Sequence, residues 1–363
     1  NYTWGLRIIN VSNTTNPTQV GFCNTPGLAR GIKVSGSYAY IADDSFGLRI
    51  INVNNPTNPT EVGSYDTPGV AWGVTVAGSY AYVADGSLGL RIINLSNPEN
   101  PTSVGFYDTP GFSYGVTIAD SYAYVADNFT GLRIINISNP TNPTEVGFCD
   151  TPGWSVDVAV VGSYAYVADR SGLRIINVSN PANPIIVGFC DTPGDAVGVA
   201  VFGNYAFVAN IEYGLRIINI SNTESPREVG FYITQDVALG VAVVGSTSFV
   251  AAREEFGIYD CSGCVGVVEH VGIEAPKEFY LKPNYPNPFN ATTTIEYTIP
   301  KTGKVDLKVF DISGREVATL VNFHQNPGSY KVTLDGTTLS TGTYFVRLQS
   351  GEFSRTQKMV LLK

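Results

Sequence analysis

The sequence predicts an all-β chain: a six-bladed β-propeller, with seven blades as the alternative count, followed by a small immunoglobulin-like β-sandwich. Three observations carry this. The phrase GLRIIN starts at Gly5, Gly47, Gly89, Gly131, Gly172 and Gly214, with a worn copy, FGIYDC, around Gly257. A fixed period near forty residues with four strand-like runs per copy marks propeller blades. No stretch shows a helical period of apolar residues. Near residue 260 the repeat stops, and alternating runs separated by Gly, Pro and Asn turns replace it.

The cleanest copy spans residues 73–114. Its first run, GVTVAG, is short and rich in β-branched residues, which suits an innermost strand buried on both faces. Gly78-Ser79 then supplies a two-residue hairpin turn. SYAYVAD alternates large Tyr with small Ala, so Tyr80 and Tyr82 share a face. GLRIINL is the third strand and TSVGFYDT the fourth. The SNPENP between them is a loop, because its prolines cannot donate to a ladder.

In chain order, residues 1–27 supply third and fourth strands without a first or second. Innermost strands then begin near Gly31, Gly73, Gly115, Val156, Gly198 and Gly240, which implies six blades. The last copy ends at the degenerate third strand FGIYD. Closure is therefore expected through one composite blade built from both chain ends, with the Gly5 and Gly257 strands competing for one slot. An unpaired edge can instead pair with another copy, and head-to-tail exchange of that kind makes fibres. The expected domains are a propeller over 1–260, a linker over 261–277 and a sandwich of about seven short strands over 278–363.

The net charge of -9 is unevenly divided. Residues 1–260 hold 11 Lys and Arg against 22 Asp and Glu, whereas 278–363 hold 10 against 7. An acidic, lysine-poor body excludes nucleic acid as the expected partner. No apolar run approaches the roughly 18 residues of a membrane-spanning helix, so no membrane insertion is expected. Asn1 opens in mid-repeat, as a processed N-terminus would. Five cysteines give no dense disulfide framework. Cys23, Cys149 and Cys190 share one repeat position and are expected to be buried side chains on the outermost strand. Cys261 and Cys264 form a lone CxxC, read as a local disulfide rather than as zinc ligands.

The search for chemistry is mostly negative. The two histidines, His270 and His324, fall outside the propeller, which removes a propeller-borne Ser-His-Asp triad or histidine metal cage. No catalytic residue, metal or cofactor is expected. Asp43, Asp85, Asp127 and Asp169 end successive second strands, and Arg49, Arg91, Arg133 and Arg174 recur in third strands. Groups that repeat with the scaffold are expected to cap turns or to pair with each other within or between blades. Asn10, Asn94, Asn136 and Asn177 open sequons that ride on the same repeat.

The exception is one face of the ring. There the residues after each TPG phrase differ from copy to copy, and Arg30, Trp72, Tyr114, Trp154 and Asp157 form the set with individuality. They are the candidate ligand-binding rim, since divergent loops on a rigid scaffold often carry function.

Two resemblances follow from these motifs. The unit GLRIINISNPTNPTEVG at 131–147 resembles the LVIVD-repeat propellers of exported and cell-surface bacterial proteins, with LRIIN as its core phrase. The tail is similar to a type IX secretion C-terminal sorting domain. Its marks are Pro286, Pro288 and Phe289 in YPNPF; Asp311, Gly314 and Arg315 in VFDISGR; Gly342 and Tyr344 in GTYFVRL; and Lys358 in the final KMVLLK. This resemblance implies handling by the type IX translocon and an extracellular or outer-surface destination in a Bacteroidetes-like bacterium. The functional expectation is a non-catalytic exported structural protein that assembles with copies of itself. The alternative is a glycan- or protein-binding adhesion module using the aromatic rim. A hydrolase or lyase using Asp157 and Asp195 ranks last.

Overall fold

The computed structural model of the protein describes residues 5–234, 236–245, 247–253, 256–261, 268–270, 278–301, 303–325, 328–336 and 339–363. Its regular structure is β throughout, in the expected repeating order. In the 73–114 copy the strands are Gly73–Ala77, Tyr80–Ala84, Leu90–Asn94 and Thr102–Tyr107, antiparallel and adjacent in sequence order. Gly78 takes the left-handed conformation (φ 57°) that the first hairpin requires. Each third strand meets its fourth through a register shift in the Ile-Ile pair, where the fourth strand carries one extra residue.

Five copies form complete four-stranded blades, over 31–65, 73–107, 115–149, 157–190 and 198–232. The fourth and fifth are joined, because Ile185–Phe202 runs unbroken from the outer strand of one into the inner strand of the next. Ala238–Val244, Thr247–Ala252 and Phe256–Asp260 make the sixth blade, three-stranded among the described residues. Neighbouring blades bury each other. Tyr40, Leu48 and Ile50 of the first pack on Val74, Ala81, Val83 and Ile93 of the second, and the pattern repeats around the molecule. Burial on both faces leaves Ala81, Val83, Leu90, Ile92 and Ile93 without exposed surface. Each such aliphatic side chain contributes about 1.5–3 kcal/mol if Val-sized or larger.

The chain ends differ from the expected composite blade. Phe256–Asp260 fills the third place of the sixth blade, in register with Thr247–Ala251. Leu6–Asn10 pairs with Thr18–Cys23 alone, as a separate two-stranded sheet packed on the first blade. Two strands cannot occupy one ladder position, and FGIYD wins it as the strand continuous with its own hairpin. One consequence is visible in the first blade. Ile32 and Val34 are 54% and 57% exposed, whereas Val74, Val116, Val158 and Val199 at the Ile32 position are at most 9% exposed.

Two four-stranded antiparallel sheets form the C-terminal module and enclose one core that includes Leu281, Tyr297, Val332, Val309, Val346 and Met359. Val268–His270, from the stretch read as linker, pairs with Gly328–Asp335 as an edge strand. Cys264 lies outside the described residues, and so does the expected Cys261–Cys264 disulfide.

Candidate functional site

The repeated aspartates are joints between successive copies. Asp85 has no exposed surface; it accepts hydrogen bonds from Thr67 Oγ1 (2.5 Å) and the Gly69 amide (2.9 Å), both in the TPG phrase that enters its own blade. Asp43 does the same for Thr25 and Gly27, and Asp127 for Thr109 and Gly111. Arg91 Nε stands 3.5 Å from Asp85, and the corresponding arginines stand 3.9 Å from Asp43 and Asp127. In the fourth blade Arg174 closes to 2.8 Å on Asp169. The arginines also lie over aromatic rings, as Arg91 does on Phe106 at 4.6 Å and Arg133 on Phe148 at 4.5 Å. Burial pushes the Asp85 and Asp169 carboxyls up, against the hydrogen bonds and the nearby arginine. In the fifth blade Asn210 takes the same place and donates to Thr192 Oγ1 (3.0 Å) and the Gly194 carbonyl (2.8 Å). An amide filling this role shows that the position caps a loop and needs no charge.

The rim residues divide into two groups. Arg30, Trp72 and Tyr114 each precede an innermost strand, and their amides donate to Ala42, Ala84 and Ala126. They pack on one another where the chain enters successive innermost strands. The Arg30 guanidinium lies 3.8 Å from the Trp72 ring centroid and 2.6 Å from Asp44, and Tyr114 meets Trp72 edge-on at 4.8 Å. All three are half-buried and held against one another. Asp157 is also committed: Oδ1 accepts the Val158 amide and Oδ2 the Val199 amide, both at 2.9 Å, tying two innermost strands together. Burial raises its carboxyl as well.

Trp154 packs with a different set of residues. It meets Phe129 edge-on at 4.7 Å, with the Arg170 guanidinium 4.1 Å from its ring centroid and Arg170 Nη1 3.4 Å from Asp195 Oδ2. Phe129 and Arg170 lie outside the stretch after TPG, where the second strand leads into the third. The loops between second and third strands diverge as strongly: Asp44-Ser45-Phe46, Gly86-Ser87-Leu88, Asn128-Phe129-Thr130 and Arg170-Ser171.

Cys23, Cys149 and Cys190 are half-buried on outer strands, and burial raises all three thiols, Cys190 to about 11. In the C-terminal module, Phe289 is buried and exchanges backbone hydrogen bonds with Val360 and Leu362, stapling the YPNPF segment to the last strand. Asp311 holds its turn through Ser313 and Arg315, with Gly314 at φ 80°. Tyr344 donates to the Ser340 carbonyl at 2.7 Å. Gly342 opens the strand Gly342–Ser350, while Lys358 lies in Phe353–Leu361, opposite Phe345.

Comparison with known proteins agrees with this architecture. Residues 3–25, 26–67, 68–109, 110–151, 152–192 and 193–234 each match the LVIVD repeat, and 284–362 match the secretion system C-terminal sorting domain. No curated protein matches the chain. Among solved structures, the β-propeller domain of Myceliophteria thermophila Cps50 (Swd1) aligns with a TM-score of 0.55 at 10% identity, covering 67% of this chain and 85% of that one. A chain of the mitotic checkpoint complex aligns at 0.57 and 10%, covering 69% and 79%. The computationally designed Ika8 protein aligns at 0.52 and 5%, covering 84% and 95%. At such identities the likeness concerns the fold alone.

Proposed function

Since the chain belongs to the LVIVD-repeat family and ends in a type IX sorting domain that directs export to the cell surface or extracellular space, we propose that it is a non-catalytic recognition module displayed outside the cell. The observation that carries this reading is a division of labour among its polar residues. The recurring Asp, Thr and Arg side chains are spent on the joints between copies. Individuality is confined to one face, where Phe129, Trp154 and Tyr213 stay exposed beside charged neighbours. A reactive centre needs a unique, poised group, and Asp157 is already bound to two amides.

The test is a pull-down of surface polymers and surface proteins from the producing bacterium with the purified full chain, repeated with Phe129→Ala/Trp154→Ala. The reading predicts specific capture that the double variant loses without a change in melting temperature. Capture that the double variant retains would contradict it.

Self-association is the second reading, favoured by the uncovered sheet faces. Ala251 is exposed in the sixth blade where Ala42, Ala84, Ala126, Ala168 and Ala209 are fully buried by a following blade. Ile32 and Val34 form the opposite half of such a junction. Light scattering over a hundredfold concentration range tests it; a monomer throughout would refute it.

A further inference from the structure

The geometry points to a binding site for neutral polysaccharide on the sector that runs from the third to the fifth blade, formed by Phe129, Trp154, Arg170, Asp195, Glu212 and Tyr213. The inference rests on the recognition reading above and names its site and its ligand class.

The six residues come from consecutive connections and strand ends, with Arg170 opening the strand Arg170–Asn177 and Asp195 within Ile185–Phe202. Phe129 lies between the second and third strands of its blade, Trp154 enters the next, Arg170 follows in that blade, and Asp195 enters the fifth blade ahead of Glu212 and Tyr213. Contacts link the first five in that order, and Tyr213 follows Glu212 in sequence. Phe129 meets Trp154 at 4.7 Å, Arg170 covers Trp154 at 4.1 Å and reaches Asp195 at 3.4 Å, and the Asp195 amide donates to Glu212 Oε2 at 3.2 Å. Unlike the Arg30–Trp72–Tyr114 cluster, this sector is open: Phe129 is 65% exposed, Tyr213 38% and Trp154 36%.

Arg170 supplies the second, independent observation. Its φ is 60°, and the residues at that turn position in the preceding copies are Asp44, Gly86 and Asn128, also left-handed. Gly, Asn and Asp tolerate that conformation through a missing Cβ or a local hydrogen bond, and arginine has neither aid. The fold here holds a strained arginine where the three preceding copies keep a residue that takes this conformation easily. Strain retained in one copy of a repeat points to use rather than construction.

The chemistry selects the ligand. Exposed aromatic faces receive the C–H face of a sugar ring, and a carboxylate or guanidinium edge can engage two vicinal hydroxyls at once. Asp195 and Glu212 outweigh Arg170 locally, and the chain carries a net charge of -9, so a polyanion is repelled. A neutral chain of sugars fits all three conditions.

The experiment is affinity electrophoresis and calorimetry of the full chain against soluble β-glucan, mannan and galactan, with alginate as the anionic probe. The variants are Phe129→Ala, Trp154→Ala, Arg170→Asn and, outside the sector, Trp72→Ala. At least one neutral polysaccharide should bind, alginate should not, and the first three variants should each weaken binding at least tenfold. Arg170→Asn restores a residue type suited to φ 60°, so its melting temperature should equal or exceed that of the wild type while its binding falls. Trp72→Ala should leave binding unchanged. Absence of binding to every neutral polysaccharide, preference for alginate, or binding indifferent to the first three variants would overturn the inference. If sugars fail while a purified surface protein binds with the same variant sensitivity, the ligand class falls and the recognition reading stands. If no interaction of any kind responds to these variants, both fall.

Discussion

Replacing Asp85 separates loop capping from charge pairing as the source of stability at the blade joints. Asp85→Ala removes the acceptor of the Thr67 hydroxyl and of the Gly69 amide and leaves Arg91 Nε without its neighbouring carboxylate. Each buried donor left unsatisfied costs about 1–3 kcal/mol, giving about 3–5 kcal/mol in total. For a domain of this size that lowers the melting temperature by roughly 10 °C. Asp85→Asn should cost about 1 kcal/mol or less, because an amide can accept from Gly69 and donate to Thr67, as Asn210 already donates to Thr192. The pH dependence follows from the direction of the shift. Burial holds the folded carboxyl of Asp85 above its unfolded value, so the stability it contributes is fully present below the unfolded pKa and is lost as pH rises through the folded one. Wild type should therefore gain on Asp85→Asn as pH is lowered from neutrality through that window. The assay is thermal unfolding of wild type and both variants from neutral to acidic pH. Equal losses for Asn and Ala, or a wild type that loses ground to Asn on acidification, would refute the capping argument in favour of an Asp–Arg ion pair.

Other predictions concern packing, reactivity and export. A Cβ on Gly105 would stand 2.1 Å from the Pro140 carbonyl oxygen of the next copy, whereas one on Gly78 would meet nothing within 4 Å but sits at φ 57°. Gly105→Ala should thus cost about 3 kcal/mol and Gly78→Ala about 1 kcal/mol in urea unfolding; the reverse order would contradict the account of blade spacing. Burial raises the Cys190 thiol from 9.0 to about 11, so alkylation of the native protein at pH 8 should be about 100-fold slower than after denaturation. Mass spectrometry of the labelled peptide measures this, and equal rates would count against a buried thiol. Deleting 284–362, the sorting domain, should retain the propeller inside the cell, as cell fractionation would show; unimpaired surface display would contradict its role.

Architecture was legible because it is written in period. The repeat fixed six innermost strands, and the strands observed in the 73–114 copy, Gly73–Ala77, Tyr80–Ala84, Leu90–Asn94 and Thr102–Tyr107, fall where alternation and turn residues place them. Contacts between copies were not legible, since no local pattern announces them. The glycine after Val in each fourth strand carries no sequence signal of a contact, yet Gly63, Gly105 and Gly147 are where the next copy's proline loop presses its carbonyl into the sheet. The partners of Asp43 and Asp85 lie 16 and 18 residues back, across a crossover, and the partner of Asp157 lies 42 residues on. Side-chain direction on the divergent face was hidden too. Arg30, Trp72 and Tyr114 stack on one another, whereas Trp154 packs on Phe129 and Arg170. Residue identity marked that face as individual; which ring packs on which depends on loops from neighbouring copies, 16 to 42 residues apart, and no local pattern announces those pairs.

Amide hydrogen exchange of the full chain, with and without the surface polymer that it captures, tests the central claim most directly. The account predicts slowed exchange confined to the segments around 128–130, 153–155, 170–172, 194–196 and 211–213. Protection on the opposite face, at the repeated Asn-Pro turns such as 97–100 and 139–142, would contradict it.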